Sequence, residues 1–359
     1  MKTPSSVQTR WFDIQQTRTK TILLGVAAVY LVVIFGIALR RFTTTDVIPQ
    51  LKPINTEALK QLGPFTVRVK TGMLIKNFPV FDVSKNTFQA DAIVWFEFNG
   101  DEINTETVER FSFDNGKVLY KSPPDLKVMG SNVFVRYNVT FELKTDLQFH
   151  RFPFEDHRLP IMLSNEFVTP DEMIFIVDGS SFQVQSKTAP AGWRFQDLSV
   201  DAGIQPLQLD NQDAGKKAET PKALFIANFI KASARRALVI FLPLFSMAFL
   251  GLLAFVMNTA NTVGKVTLAM SALTGLLGYR FVIEQMLPQV GYFTTTDNIY
   301  LLLLVFAFLN FAIHLLLTRV FLTNNQEKNI DARLERINSW FFIGILLLLV
   351  GATTYLIIM

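Results

Sequence analysis

Hydrophobic and polar positions divide the chain into two kinds of territory. Five stretches are apolar almost without interruption and approach the ~20 residues a helix needs to cross a hydrocarbon core. They are Thr21–Leu39, Ala237–Met257, Lys265–Leu287, Ile299–Thr318 and Ser339–Ile358. Between the first and second, the pattern changes to short segments in which polar and apolar residues alternate, as strands with one buried face require. TVRVK, FQADAIVWFEF, NVFVRYNVTFEL, EMIFIVDG and ALFIANFI are such segments, separated by Asn-Gly, Asp-Asn-Gly, Pro-Pro-Asp and Asp-Gly-Ser turns. Asp201–Pro221 is polar and is expected to be a long mobile loop between the last two strands. The expected fold is a multi-pass membrane protein: an extracytoplasmic all-β sandwich, then a four-helix transmembrane bundle, plus one N-terminal transmembrane helix.

The expected boundaries are a cytoplasmic tail at 1–20, an anchor at 21–41, a β domain at 42–236 and a helical domain at 237–359. The first apolar run follows a long basic tail and has no small-x-small cleavage site after it, so it reads as an uncleaved anchor rather than a signal peptide. Pro243 interrupts the second run, which a membrane helix tolerates if a neighbouring helix satisfies the freed carbonyl. Basic residues orient the chain. Lys2, Arg10, Arg18, Lys20, Lys265, Arg319, Lys328, Arg333 and Arg336 share one side when the β domain is outside. Arg40 and Arg41 run against that pattern.

The third apolar run, KVTLAMSALTGLLGYRFVIEQML, is unlike the others. Thr267, Ser271, Thr274, Gly278, Phe281 and Gln285 recur at spacings of 4, 3, 4, 3 and 4 and so form one stripe of a helix. The stripe is small and polar up to Phe281. Two readings fit: close helix–helix packing through Ser, Thr and Gly, or a pore lining made by symmetry-related copies, with Phe281 as an apolar constriction. Arg280 and Glu284, four apart, pair with each other or lie at an interface.

Composition narrows the function classes. The chain of 359 residues is 50% hydrophobic and 18% charged, below the ~25% charged residues of soluble domains. A net charge of +4 without a basic block argues against nucleic-acid binding. With no cysteine there are neither disulfides nor thiolate metal sites. No Gly-rich phosphate loop, HExxH or GxSxG sequence occurs, and an enzyme is not expected. No cofactor or metal is expected either, because His150 and His157 lack the spacing that holds zinc.

One dense stretch remains, FHRFPFEDHRLP at 149–160. It resembles the Pro-loop of the pentameric ligand-gated ion channels, particularly their prokaryotic cysteine-free members. FQADAIVWFEF resembles that family's second strand, and Gly192-Trp193 the strand after the Pro-loop. Pro243 matches a proline of the first channel helix, with Lys231 near the usual pre-helix arginine. LPQVGYFTTTD at 287–297 resembles the loop between second and third channel helices. The resemblance covers residues 65 to 359, without gaps over the pore helix from Val266 to Pro288. It implies a homopentamer in membrane lipid, a central pore for a permeant ion lined by the six stripe residues, and gating by protons or an unknown extracytoplasmic ligand. Val263 and Lys265 would then form the cytoplasmic mouth, where a lysine either rings the pore or snorkels sideways. The implied gating joint comprises Phe152, Pro153, Phe154, Glu155, Asp156, Lys231, Leu287, Pro288 and Tyr292, with Arg151 as a further charged contact.

His150 and His157 titrate near neutral pH and are candidates for pH sensing at that joint. The implied location is the cell membrane, the bacterial inner membrane, with the β domain outside. The chain departs from the family in several places. Asp201–Pro221 contains no aromatic residue, the Trp-x-Pro-Asp motif is missing, Lys265 replaces a glutamate ring, and the anchor is additional. Trp95 and Trp193 are expected to be core residues rather than a ligand cage. These departures sustain an alternative: a non-conducting membrane receptor or scaffold of the same architecture that acts through a partner protein.

Overall fold

The computed structural model describes residues 5–41, 43–54, 65–83, 85–185, 190, 192–208, 217–231, 234–257, 261–323 and 330–358. Its helices are α1 (Ser5–Arg40), the short α2 (Thr105–Glu109), α3 (Arg235–Leu253), α4 (Thr262–Met286), α5 (Thr295–Thr323) and α6 (Ile330–Ile358). All except α2 are long and apolar enough to cross a membrane. By internal contacts the chain forms two units. A helical unit comprises Met1–Thr43, Phe149–Phe154 and Ala234–Met359; a β unit comprises Thr44–Gln148 and Glu155–Ser233.

Within the helical unit, α1 is a structural member and not a bystander. Lys20, Leu24, Ala27, Leu31 and Phe35 are buried, and their spacing of roughly one turn places them on one face. That face packs on α6, and Phe35 sets its ring edge-on to Phe154 and Phe241, each at 4.9 Å. The opposite side of α1, including Val26, Val29 and Val32, is exposed and apolar, as lipid contact requires.

Pro243 lies inside α3. Having no N–H, it cannot satisfy the carbonyl of Val239, four residues earlier. The phenol of Tyr279 on α4 donates to that carbonyl at 2.7 Å. An unmet carbonyl in an apolar unit is unfavourable, so Tyr279 and Pro243 form a matched pair across two helices.

The β unit holds two sheets. One has strand order β1-β11-β12-β8-β4; the other runs β10-β2-β3-β7-β5, with β6 added to β7 and β9 to β2. The strands are β1 (Lys52–Pro53), β2 (Val67–Asp82), β3 (Thr87–Asn99), β4 (Ser112–Phe113), β5 (Gly116–Lys121), β6 (Asp125–Met129), β7 (Asn132–Lys144), β8 (His157–Ser164), β9 (Met173–Ile176), β10 (Phe182–Val184), β11 (Trp193–Gln208) and β12 (Lys217–Lys231). Along β3, Phe88, Ala90, Ala92, Val94, Phe96 and Phe98 are buried while their neighbours are not, the period of two that the sequence predicts.

Rings from both sheets meet in between, giving a sandwich: Phe113 stacks on Phe141 at 4.1 Å, Phe81 meets Phe229 at 4.7 Å, and Phe182 meets Phe225 at 5.4 Å. The abundant phenylalanine supplies this core.

Two expectations need correction. Asp201–Pro221 is mostly strand: β11 and β12 stay in register from Asp201↔Leu224 to Gln208↔Lys217, and only 209–216 lies outside the described residues. Backbone pairing along the β11–β12 ladder outweighs the polar composition, because the polar side chains of β11 mostly face solvent. Trp95 and Trp193 are half-buried rather than central. The Trp95 indole lies so close over Gly72 that a Cβ there would fall 2.3 Å from the ring.

Two substitutions test the helical packing. Tyr279→Phe should destabilise the protein in detergent by about 1 kcal/mol by orphaning the Val239 carbonyl, measured by thermal or denaturant unfolding. Phe35→Ala should cost about 3 kcal/mol as a buried aromatic deletion; Val29→Ala, on the exposed side of the same helix, should cost much less.

Candidate functional site: a docked proline loop and an exposed helix face

The segment Phe149–Phe154 belongs to the helical unit although its flanking residues are in the β unit. Its attachment follows from the chemistry of a helix start, where the first backbone N–H groups have no partner within the helix. Thr295 donates its N–H to the His150 carbonyl at 2.9 Å, and its hydroxyl to the same oxygen at 3.2 Å. Thr296 does the same to the Phe152 carbonyl, at 3.2 Å and 3.0 Å. The loop thus caps α5 through four hydrogen bonds.

Aromatic and cationic contacts complete the docking. Tyr292 accepts the Phe149 N–H at 2.8 Å, and its ring stacks on His150 at 4.0 Å. Phe154 stacks on Phe241 of α3 at 5.4 Å, and Arg236 sits 5.4 Å above the Phe152 ring. Arg151 donates to the carbonyls of Ile357 and Ile358 at 3.1 and 2.8 Å, satisfying acceptors at the end of α6. The peptide Phe152–Pro153 is cis. Of the sequence-derived joint, Phe152, Pro153, Phe154 and Tyr292 are brought together here. Leu287 ends α4 and Pro288 is buried just after it, in the same unit.

The remaining joint residues lie in the β unit. Asp156, fully buried, accepts from both the N–H and the Nζ of Lys231, at 3.0 and 3.1 Å. Glu155 is buried beside it in sequence. His157 is buried with its ring 5.4 Å from Trp193. Its Nδ1 lies 3.1 Å from Asp46 Oδ2, and because a carboxylate only accepts, Nδ1 carries the proton there.

Asp46 is the residue that sequence reasoning missed. It stands in a Thr-rich stretch with no motif around it, yet it also accepts the backbone N–H groups of Gln148 and Arg158, at 2.7 and 2.9 Å. It therefore ties both ends of the β-unit chain that flank the docked loop. Burial pushes its carboxyl up, but the hydrogen bonds from His157 and the two amides prevail and hold it below its ordinary value of 3.8. Only its partners, about a hundred positions away, reveal it.

On α4 the two faces differ. Lys265, Ala269, Ala272, Leu276 and Ile283 are buried against the neighbouring helices. Thr267, Ser271, Thr274, Gly278, Phe281 and Gln285 all fall on the exposed face, with Val263 at its lower end. Lys265 is turned away from that face and into the unit. Ser271 returns its hydroxyl to the Thr267 carbonyl at 2.9 Å, and Gly278 has open space where a Cβ would stand. Arg280 pairs with Glu284 at 3.1 Å, as its spacing predicts, and also with Asp297 at 2.8 Å, which links α4 to the capped start of α5.

The pH dependence of the Asp46 cluster has a definite sign. A carboxyl depressed on folding contributes stability above its unfolded pKa, and that stability is lost as pH falls through the lower folded value. Asp46→Asn should lower the melting temperature at neutral pH by the equivalent of about 2 kcal/mol. The gap to the parent protein should narrow below about pH 4, as followed by unfolding scans across pH. No protein-family model matches the chain, and comparison with curated proteins finds no match.

Proposed function

We propose that the protein is a homopentameric ion channel of the bacterial inner membrane. A central pore is lined by α4, and an outer β unit gates it in response to protons or an extracytoplasmic ligand. One observation carries this reading. α4 buries an apolar face within its own unit and leaves a continuous stripe of Thr, Ser, Gly and Gln uncovered along a membrane-length helix. Polar groups facing hydrocarbon are unfavourable, so such a stripe calls for water or other copies of itself. Copies around one axis supply both. Phe281, 72% exposed in the single chain, becomes the constriction, with Thr274, Ser271 and Thr267 as hydroxyl rings and Val263 at the inner end.

The docked loop supports the gating half of the proposal. It caps the helix that follows α4, so a displacement of Phe149–Phe154 bears on α5 and, through Arg280–Asp297, on α4 itself. His150 on Tyr292, and His157 on Asp46, place one titratable ring at the loop and another just after it. The non-conducting alternative drew on the additional N-terminal helix as a partner-binding element. Its buried face is occupied by the chain's own helices, so a partner could engage only its exposed side.

Reconstituted in planar bilayers, the pure protein is expected to give stimulus-dependent unitary currents, and Phe281→Ala should change conductance or open probability several-fold. Silence across pH and ligand screens, or a subunit count other than five in native mass measurements, would sink the channel. Replacing His150 and His157 together with Gln should shift the pH response; an unchanged response would remove these two histidines as the sensor.

A further inference from the structure

Arginines gather at one end of the helical unit. Arg40 ends α1 and Arg41 follows it, while Arg235 and Arg236 open α3; all four are exposed. The contacts between the two helices set their level. Lys20 reaches the Phe255 carbonyl and Phe35 meets Phe241 at 4.9 Å, so α1 and α3 run antiparallel. Arg40 lies five residues beyond Phe35, and Arg235 six residues before Phe241. At about 1.5 Å per residue, both stand roughly 8–9 Å past that aromatic contact, on the same side of it.

Each helix continues from its arginine into an exposed apolar stripe. Arg41, Ile37 and Val33 follow at intervals of four, and Arg235, Leu238 and Leu242 at intervals of three and four, so each arginine shares a face with the residues beneath it. Ile37, Val33, Leu238 and Leu242 are all exposed. Both helices are long and apolar enough to cross a membrane, one span ending at Arg40 and the other beginning at Arg235. Bare apolar stripes belong against acyl chains, and that places the guanidinium groups at the depth of the lipid phosphates.

Neither topology nor internal pairing accounts for these charges. Basic residues favour the cytoplasmic end of membrane helices, and in the orientation proposed above these four stand at the other end. The acidic residues of the helical unit lie elsewhere or are engaged. By their place in the chain, Asp13, Glu327, Asp331 and Glu335 belong to the far end, where the α1 span and α6 begin. Glu284 and Asp297 pair with Arg280. In the β unit, the carboxylates next along the chain from this end, Asp46, Glu155 and Asp156, are buried. Among the described residues none of the four arginines has an ion-pair partner. Guanidinium matches phosphate oxygens with two parallel N–H donors.

We propose that this end of the helical unit binds anionic phospholipids. Arg40, Arg41 and Arg235 hold the phosphates, and the acyl chains lie along the two stripes below them. Arg236 stands over the Phe152 ring, so the lipid binds one residue away from a support of the docked loop. The inference rests on α1 and α3 crossing a membrane and holds equally for a non-conducting protein.

The full chain in mild detergent provides the test. Added phosphatidylglycerol should raise the melting temperature by at least ~2 °C more than phosphatidylcholine, and saturably. Native mass spectra should show phosphatidylglycerol retained in preference. Replacing Arg40, Arg41 and Arg235 together by Gln should remove both preferences. The same loss of charge in the β unit, at the exposed Lys117, Lys127 and Lys144, should leave both intact. Equal effects of the two lipids, or a preference that survives in the arginine variant, would overturn the proposal. An equal shift from inorganic phosphate alone would also overturn it, because the arginines would then be an ion site. Should the triple variant fail to fold, Arg41→Gln and Arg235→Gln take its place singly. Each should weaken phosphatidylglycerol retention at least twofold, and unchanged retention in both would count against the site.

Discussion

The donors at the start of α5 cannot be left unmet inside an apolar unit, and the carbonyls of His150 and Phe152 meet them. Much of the rest follows from that constraint. A helix start that needs external acceptors holds a loop, and a loop held by its backbone presents its side chains in fixed directions. Phe154 then reaches α1 and α3, Arg151 reaches the end of α6, and His150 stacks on Tyr292. The tie between this loop and the helices is mostly backbone geometry, so it is directional. It would transmit displacement better than an apolar contact, which can slide.

The same requirement recurs at each irregularity of the helical unit. Pro243 removes a donor and Tyr279 restores it. Asp297 closes the first turn of α5 by accepting from Thr294, and its second oxygen takes Arg280. Among the described residues, the exposed stripe of α4 and the buried ring of His314 stand out against these satisfied groups as polarity without a partner inside the unit. The first points outward and the second inward.

Much of the architecture was legible from the chain. The five membrane-length helices are local, because length and uninterrupted hydrophobicity suffice to specify them; the structure lengthens α5 at both ends and α6 at its start, and ends α3 four residues early, at Leu253. The alternation in FQADAIVWFEF and NVFVRYNVTFEL located β3 and β7 closely. The loop expected at Asp201–Pro221 failed because β pairing depends on the partner strand, and composition carries no record of that partner. Asp46 was invisible for the same reason: its partners are Gln148, His157 and Arg158. The helical period identified the α4 stripe correctly as one face, but period alone has no origin, so it could not say that Lys265 belongs to the opposite one.

The sequence by itself determined the five long helices and the strands of clearest alternation, which helices are apolar enough to enter a membrane, and which residues of α4 share a face. These are properties of the chain's own periodicity and side-chain chemistry. Only the tertiary structure decided which face of α4 is covered, that α1 is part of the helical unit, that FHRFPF is capped onto α5 while EDH folds with the sheets, and that Lys265 and His314 line one cavity. Each of those outcomes depends on satisfying a polar group or filling a volume with residues far away in sequence, and long-range closure of that kind leaves no local pattern to read.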